Sequence, residues 1–350
     1  MAVSIVLSMA LTVGCGGTGS SLSDEDKEPI VFGDTQFQTL WINNAIAQFI
    51  IENGYGYPVD IAIISTPIFM QSIRNGDIDV HLELWRFNDM DWYEDATESG
   101  DMIDVGPIYD RATQGWYVPR YVIEGCDDRE IEPMAPDLES VFDLADYWEV
   151  FRDPEDPSKG VFLNSIFEWD CTEINDIKLE VYGLAEYYNV QYPGGAAALD
   201  AALAGAYERG EPIVAYYWEP TWILGKYDFV ALEEPEFDED IWREKRRVLD
   251  GEIDISEVEE ACGYMEHTVN SGIHYKLKER APEVVEFLKA MHVGTDALNE
   301  TAAYMEVEGA ETEEAAIWYF ENYQEKWRSW VPEDVEQRVE EALIEAGADL

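Results

Sequence analysis

The chain has 350 residues, 47% of them hydrophobic, with 75 acidic side chains against 22 basic ones and a formal net charge of −53 at pH 7. Such a length supports a substantial core and two lobes, while the negative field repels phosphate backbones and anionic headgroups, which excludes nucleic acid and an anionic lipid surface as partners. The acidic residues are dispersed along the chain, which predicts a solvated acidic surface suited to high salt, where screening shortens the reach of self-repulsion.

Residues 3–13 (VSIVLSMALTV) are apolar but too few to span a bilayer, and no basic residue precedes them. They lead into Gly14-Cys15 and a Gly/Ser-rich stretch, so residues 1–15 are expected to be an export signal ending at a lipidated Cys15, with 16–28 as a tether. Thr12 stands where such a lipobox usually has Leu, and an ordinary secretory signal with an incidental cysteine is the alternative. With Cys15 acylated, Cys126, Cys171 and Cys262 remain, and outside the cytoplasm two of them are expected to pair in a connectivity the spacing leaves open. The four histidines show no ligand-like spacing with the cysteines, so neither a metal site nor a cofactor is expected.

Val31-Phe32 opens a strand that stops at Gly33-Asp34. Thr35 is placed to cap a helix whose apolar positions Phe37, Leu40, Trp41, Ile42, Ala45 and Phe49 recur at helical spacing, with Asn53-Gly54 as the stop. VDIAIIS then reads as a strand, PIFMQSIRNG as a short helix begun by Pro67, and DIDVHLEL as a strand. In GWYVPRYV at 115–122, Pro119 cannot donate to a ladder and argues against a central strand. Next come a strand VFLNSIF, a helix from about Thr172 to Asn189, an alanine-rich helix at 195–209 closed by Gly210, and a strand PIVAYYW. The acidic stretch 233–260 is expected to be a solvated loop plus helix, and the remainder largely helical. Alternation of helices with strands predicts an α/β fold with a mostly parallel sheet.

Three tryptophans punctuate this pattern. Trp85 ends the strand GDIDVHLELW, Trp169 precedes a helix in FEWDCTE, and Trp218 ends the strand PIVAYYWEP. Strand ends of an open α/β sheet line the crevice where ligands bind. An indole face attracts a desolvated cation by roughly 2 kcal/mol, with quaternary ammonium the favoured guest. Converging faces of these three predict a cage for a methylated cation; core filler is the alternative for any one of them. The amides of Asp170 and Cys171 begin a helix, where unpaired N–H groups and the dipole suit an anionic oxygen. Asp170 also opens a D-x-x-E capping pattern that competes for those amides. Glu83 and Glu219 flank cage positions without being required to point inward. No G-x-S-x-G elbow, P-loop or H-E-x-x-H is present, and no catalytic residue is nominated.

From Thr35 onward the sequence resembles the glycine betaine/choline substrate-binding proteins of ABC transporters. The likeness is carried by TQFQTLWINNAIAQFIIENGYG at 35–56, GDIDVHLELW at 76–85, GWYVPRYV at 115–122, AYYWEPTWILGKYD at 215–228, APEVVEFL at 281–288 and EEAAIWYFENYQEKWRSWVP at 313–332. The resemblance implies a two-lobed, type II periplasmic-binding-protein-like α/β fold with a ligand cleft between the lobes, lobe 1 formed by 29–116 plus 223–350 and lobe 2 by 117–222. The segments at 115–122 and 219–228 would then be the crossovers. It also implies that Trp85, Trp169 and Trp218 carry the cage, that the amides of Asp170 and Cys171 hold a ligand carboxylate, and that Gln36 and Phe37 form a rim. RFND after Trp85 departs from the Pro-containing loop of many members. The implied activity is non-enzymatic capture of glycine betaine or a related compatible solute for ABC membrane subunits, by a monomer held at the membrane through its lipid anchor. Choline, carnitine, proline betaine or a dimethylsulfonio compound are alternative ligands, and ligand sensing for a receptor an alternative role.

Overall fold

A computed structural model describes residues 27–350 except Glu168. The expected export signal, tether and lipidated Cys15 lie outside the described residues. Nine strands are ordered β2-β1-β3-β9-β4-β7-β5-β6, with β8 also on β4. They are β1 Ile30–Asp34, β2 Val59–Ile63, β3 Val80–Leu84, β4 Met102–Pro119, β5 Gly160–Leu163, β6 Tyr188–Gln191, β7 Ala215–Glu219, β8 Phe229–Ala231 and β9 His267–His274.

The 18-residue β4 ties the two halves together. It pairs with β9 from Met102 to Ala112, with β7 from Thr113 to Tyr117, and with β8 from Tyr117 to Pro119. The expectation that Pro119 keeps this stretch out of a central strand is therefore corrected. Pro119 is the last strand residue, and Arg120 N–H takes up the next bond, to the Asp228 carbonyl at 2.9 Å, so the missing donor costs nothing there.

The sheet is also less parallel than expected. β1–β2, β1–β3, β5–β6 and β5–β7 are parallel, but β9 inserts antiparallel between β3 and β4 and β7 runs antiparallel to β4. β9 was hidden because HTVNSGIH carries few of the apolar residues that mark a buried strand. β3 is central, and all five of its residues are buried, His81 and Glu83 included. Both its faces are covered, so alternation does not mean a polar face in water.

The first helix, Gln38–Ile50, starts later than expected, with Phe37 and not Thr35 at its N-cap. Asp34 instead organises the turn, its carboxylate accepting from Gln36 N–H at 2.7 Å and Trp41 Nε1–H at 3.0 Å while Gln36 adopts φ +69°. Past Ile50 the chain continues in a wider turn, Ile51–Tyr55, and stops at left-handed Gly56 rather than at Asn53-Gly54. Leu40, Ile42, Ile46 and Ile50 of this helix are buried in the core, against the helix Thr312–Asn322 with its buried Tyr319 and Phe320. In the second half, the helix expected to reach Asn189 ends at Val181, and Tyr188–Gln191 forms β6. The alanine-rich helix Ala196–Arg209 closes on left-handed Gly210 as expected.

Two further expectations are corrected. Cys126, Cys171 and Cys262 are all free thiols. The stretch 233–260 is not merely solvated, because its helix Glu239–Leu249 buries Trp242 and Lys245. Among the described residues no helix is long and apolar enough to cross a membrane.

Gly76 ends the helix Thr66–Asn75 at φ +82°, and a Cβ there would lie 2.8 Å from His274 Nε2. That imidazole is held by its Nδ1 against the Ile73 carbonyl at 2.8 Å. Gly76→Ala is expected to destabilise by about 2 kcal/mol from left-handed strain and overpacking, read as a lower denaturant midpoint with an unchanged slope.

Candidate ligand-binding site

A cavity of about 670 Å³, including open solvent, lies where the ends of β3 and β7 meet the starts of the helices Gln38–Ile50 and Asp170–Val181. The carboxyl end of β3 delivers Trp85, the carboxyl end of β7 delivers Trp218, and Trp169 is the N-cap of the second of those helices. All three line the cavity, as does Phe37. Trp169 and Trp218 meet edge to face, centroids 5.0 Å apart and planes at 90°, and Phe37 stands edge-on to both at 5.9 and 6.5 Å. These three rings make a right-angled apolar corner. Trp85 touches neither indole; its ring neighbours are Tyr109 and His267.

Hydrogen bonds fix the indole edges and leave the ring faces as wall. Trp169 Nε1–H donates to the Thr35 carbonyl at 2.9 Å, tying the two halves of the molecule together at the cavity. Trp85 Nε1–H donates to Glu83 Oε2 at 3.2 Å. Trp218 is stacked over Tyr216 at 6.2 Å and 25°, and the Tyr216 hydroxyl donates to Gln114 Oε1, across the ladder on β4, at 2.8 Å.

Asp170 and Cys171 also line the cavity. The expected D-x-x-E cap is absent: Trp169 is the N-cap and no side chain accepts from the helix start. The amides of Asp170 and Cys171 precede the first intrahelical hydrogen bond, so they belong to the orphan donors of a helix N-terminus. Burial, and then the Asp89 carboxylate, push the Asp170 carboxyl up to about 7, against the opposing pull of Lys245. Cys171 contributes its thiol to Ser165 Oγ at 3.2 Å, and burial pushes that thiol up to about 12. Gln36 is not among the lining residues; it sits in the turn beside Phe37.

Other cavity residues were not nominated from sequence. Glu83 points inward after all and is 2% exposed. Tyr109 Oη–H at 2.6 Å, Asn43 Nδ2–H at 2.9 Å and the Trp85 indole converge on its carboxylate. Burial still outweighs these donors and pushes it up to about 7. His81, two residues earlier on the same face, stacks at 4.0 Å on Phe69 and is pushed down to about 3 by burial, so it is neutral. The available signal was the period of two: His81, Glu83 and Trp85 share a face. Arg86, Asn88 and Asp89, from the RFND segment, complete the rim.

The site keeps Glu83 and Asp89, acceptors of the kind a primary ammonium would need, in other bonds, Glu83 with Tyr109, Asn43 and Trp85 and Asp89 with Arg246. It presents rigid aromatic faces beside helix-start amides, a combination that suits a cation unable to donate hydrogen bonds and carrying an oxygen at its other end.

The buried Glu83 carboxyl gives a pH signature. Its value is raised from 4.5, so between 4.5 and about 7 the folded state binds more protons than the unfolded one. This contribution to stability is present below pH 4.5 and lost as pH rises through 7. In Glu83→Gln the fall in stability between pH 5 and pH 8 is expected to be shallower than in the parent, measured by urea denaturation at both values.

Comparison with known proteins identifies the family. The family model for the substrate-binding domain of ABC-type glycine betaine transport systems (OpuAC) matches residues 28–322. A trimethylamine N-oxide-binding protein of Pelagibacter ubique (strain HTCC1062) is 22% identical over 325 residues, covering 93% of this chain and 97% of that protein. Among solved structures, the glycine/betaine/L-proline-binding protein ProX from Borrelia burgdorferi superposes with a TM-score of 0.69 at 19% identity, over 89% of this chain and 100% of the other. An ABC-transporter choline-binding protein in complex with choline gives 0.68 at 18% identity, over 90% and 98%. Lactococcal OpuAC, closed around glycine betaine, gives 0.66 at 16%, over 88% and 100%. The α/β fold is thus that of periplasmic-binding-protein-like structures, and with the family model spanning most of its length, the chain belongs to the substrate-binding domains of ABC-type glycine betaine transport systems.

Proposed function

We propose that this protein captures a small trimethylated, oxygen-bearing solute, glycine betaine first among them, and delivers it to the membrane subunits of an ABC importer. The observation that carries the reading is the right-angled corner of Trp169 and Trp218, with Phe37 edge-on to both and Trp85 on the same cavity. A trimethylammonium group has no N–H to satisfy, so it loses little on leaving water for such walls and gains cation–π attraction. Its carboxylate would meet the amides of Asp170 and Cys171 at the helix start.

Members of this family are binding proteins, and substrate-binding proteins of ABC importers act outside the cytoplasm. In this reading the chain is a non-enzymatic monomer anchored through lipidated Cys15. Its lobes, 29–116 with 223–350 and 117–222, close around the ligand, which favours closure only through its contacts with both. A second ligand reading is supported by one relative: trimethylamine N-oxide presents the same methyl groups with its oxygen directly on nitrogen.

The test is calorimetric and fluorescence titration of the purified protein at high salt with glycine betaine, choline and trimethylamine N-oxide in parallel. Micromolar betaine binding is expected, and Trp218→Ala should weaken it tenfold or more, the scale of one desolvated cation–π contact. Unchanged affinity in that variant would remove the corner from the site.

A further inference from the structure

We propose that Arg86 is the residue by which this cavity selects a trimethylammonium solute bearing an anionic oxygen over one bearing a neutral hydroxyl, its guanidinium taking the negatively charged oxygen of the bound ligand. The inference rests on the proposed trimethylammonium reading of the site and adds to it the recognition of the opposite end of the ligand.

Arg86 follows Trp85 directly and lines the same cavity. It opens the RFND segment that follows β3. Its Nε is buried and has no hydrogen-bond partner. Arginine Nε is one of five donors in a planar fork matched to a carboxylate, and an unmet buried donor of this kind is costly unless something outside the chain satisfies it.

The rest of the side chain is held in place without being neutralised. One Nη donates to Thr268 Oγ1 at 3.3 Å, and the guanidinium lies 5.3 Å over the Phe87 ring. The guanidinium also faces the Tyr93 hydroxyl, and that hydroxyl donates to Asp104. Asp104 is fully engaged elsewhere: Asn270 Nδ2–H reaches it at 2.7 Å and Gly106 N–H at 2.8 Å. No carboxylate lies within 4 Å of Arg86 among the described residues. The contrast with the other arginines is sharp in a chain where acids outnumber bases 75 to 22. Arg74, Arg111, Arg120, Arg243, Arg246, Arg280 and Arg328 each have a carboxylate partner. Arg129, which also lacks one, spends its donors on the Tyr207 and Glu208 carbonyls at the surface. Among the described residues Arg86 is the arginine that lines the ligand cavity, and it does so without a carboxylate partner of its own.

The cavity carries carboxyls too, and their dispositions favour the assignment. Glu83 is occupied by Tyr109, Asn43 and Trp85, and Asp89 by Arg246 at 2.6 Å. Asp170 lies at the Trp169 end, beside the corner of indoles. The fixed charge of Arg86 is an attraction for an oxygen anion on the Trp85 side of the cavity, and a neutral hydroxyl gains little from it.

The experiment compares two ligands that share a trimethylammonium head: glycine betaine, with a carboxylate, and choline, with a neutral hydroxyl. Both are titrated against the full chain and its Arg86→Gln, Arg86→Lys and Trp218→Ala variants, with melting curves to verify folding. Arg86→Gln is expected to weaken betaine at least tenfold and to change choline by less than twofold, while Arg86→Lys, which keeps the charge and loses the fork, retains part of the betaine affinity. Trp218→Ala is expected to weaken both ligands. Equal losses for the two ligands in Arg86→Gln, or none for betaine, would overturn the role of Arg86 while leaving the aromatic site intact. If Arg86→Gln does not fold, a betaine-to-choline ratio unchanged in Arg86→Lys overturns it as well. Binding of neither ligand by the parent protein would overturn the trimethylammonium reading and this inference with it.

Discussion

Continuity of β4 is the constraint on which the rest depends. One strand changes partners between Ala112 and Thr113, leaving β9 for β7 without a break. The register that results sets Gln114 opposite Trp218 and brings Tyr109 to Glu83, the carboxylate that holds the Trp85 indole. Two aromatic walls from distant parts of the sequence are therefore indexed to one backbone. A side chain that must meet its counterpart within a fraction of an ångström is better placed by a ladder than by a loop, and here the loops deliver only Trp169 and the rim.

A cation that cannot donate hydrogen bonds poses an unusual demand, since the usual recognition by acceptors brings nothing. The polar groups around this cavity are accordingly turned away from it or used to brace rings: Thr35 holds Trp169, Glu83 holds Trp85, and Gln114 holds Tyr216 beneath Trp218. The same economy governs the basic residues. Lys178 is almost fully buried, bonded to Glu234 at 2.7 Å and seated 3.9 Å over the Tyr264 ring. Lys245 donates to the Asn88 carbonyl at 2.9 Å with the Trp242 ring 3.7 Å away, and burial drives it well below the usual lysine range. Lys178 and Lys245 thus work inside, beside aromatic rings.

Much of this is legible in the sequence. The three tryptophans declared themselves by position, two at strand ends and one before a helix, and the segments LELW and YYWEP carried the family likeness. What stayed hidden had physical causes. Glu83 and β9 were obscured because a strand covered on both faces can bury polar residues, provided each finds a partner, and partners such as Asn43 and Tyr109 are remote in sequence. The Thr35 cap failed because Asp34, one residue earlier, took over the turn. The helix Glu239–Leu249 looked solvated because its composition is dominated by charge, yet Lys245 and Trp242 are the residues that decide where it lies.

That helix bridges the segment after β3 and the start of the helix Asp170–Val181. Toward the first half it is fastened by directional polar contacts: Trp242 to the Phe87 carbonyl, Lys245 to that of Asn88, Arg246 to Asp89, and Arg243 to Asp91 and Glu94. Toward the second half it rests on Ile174 through the apolar side of Trp242, with Cys262 in the same cluster. One contact of the helix is thus a largely apolar seam and the other a polar one. Ionic strength acts on these seams in opposite senses, screening the exposed ion pairs while kosmotropic salts reinforce apolar contact. Ionic strength is then a single variable that acts on both contacts of this helix at once.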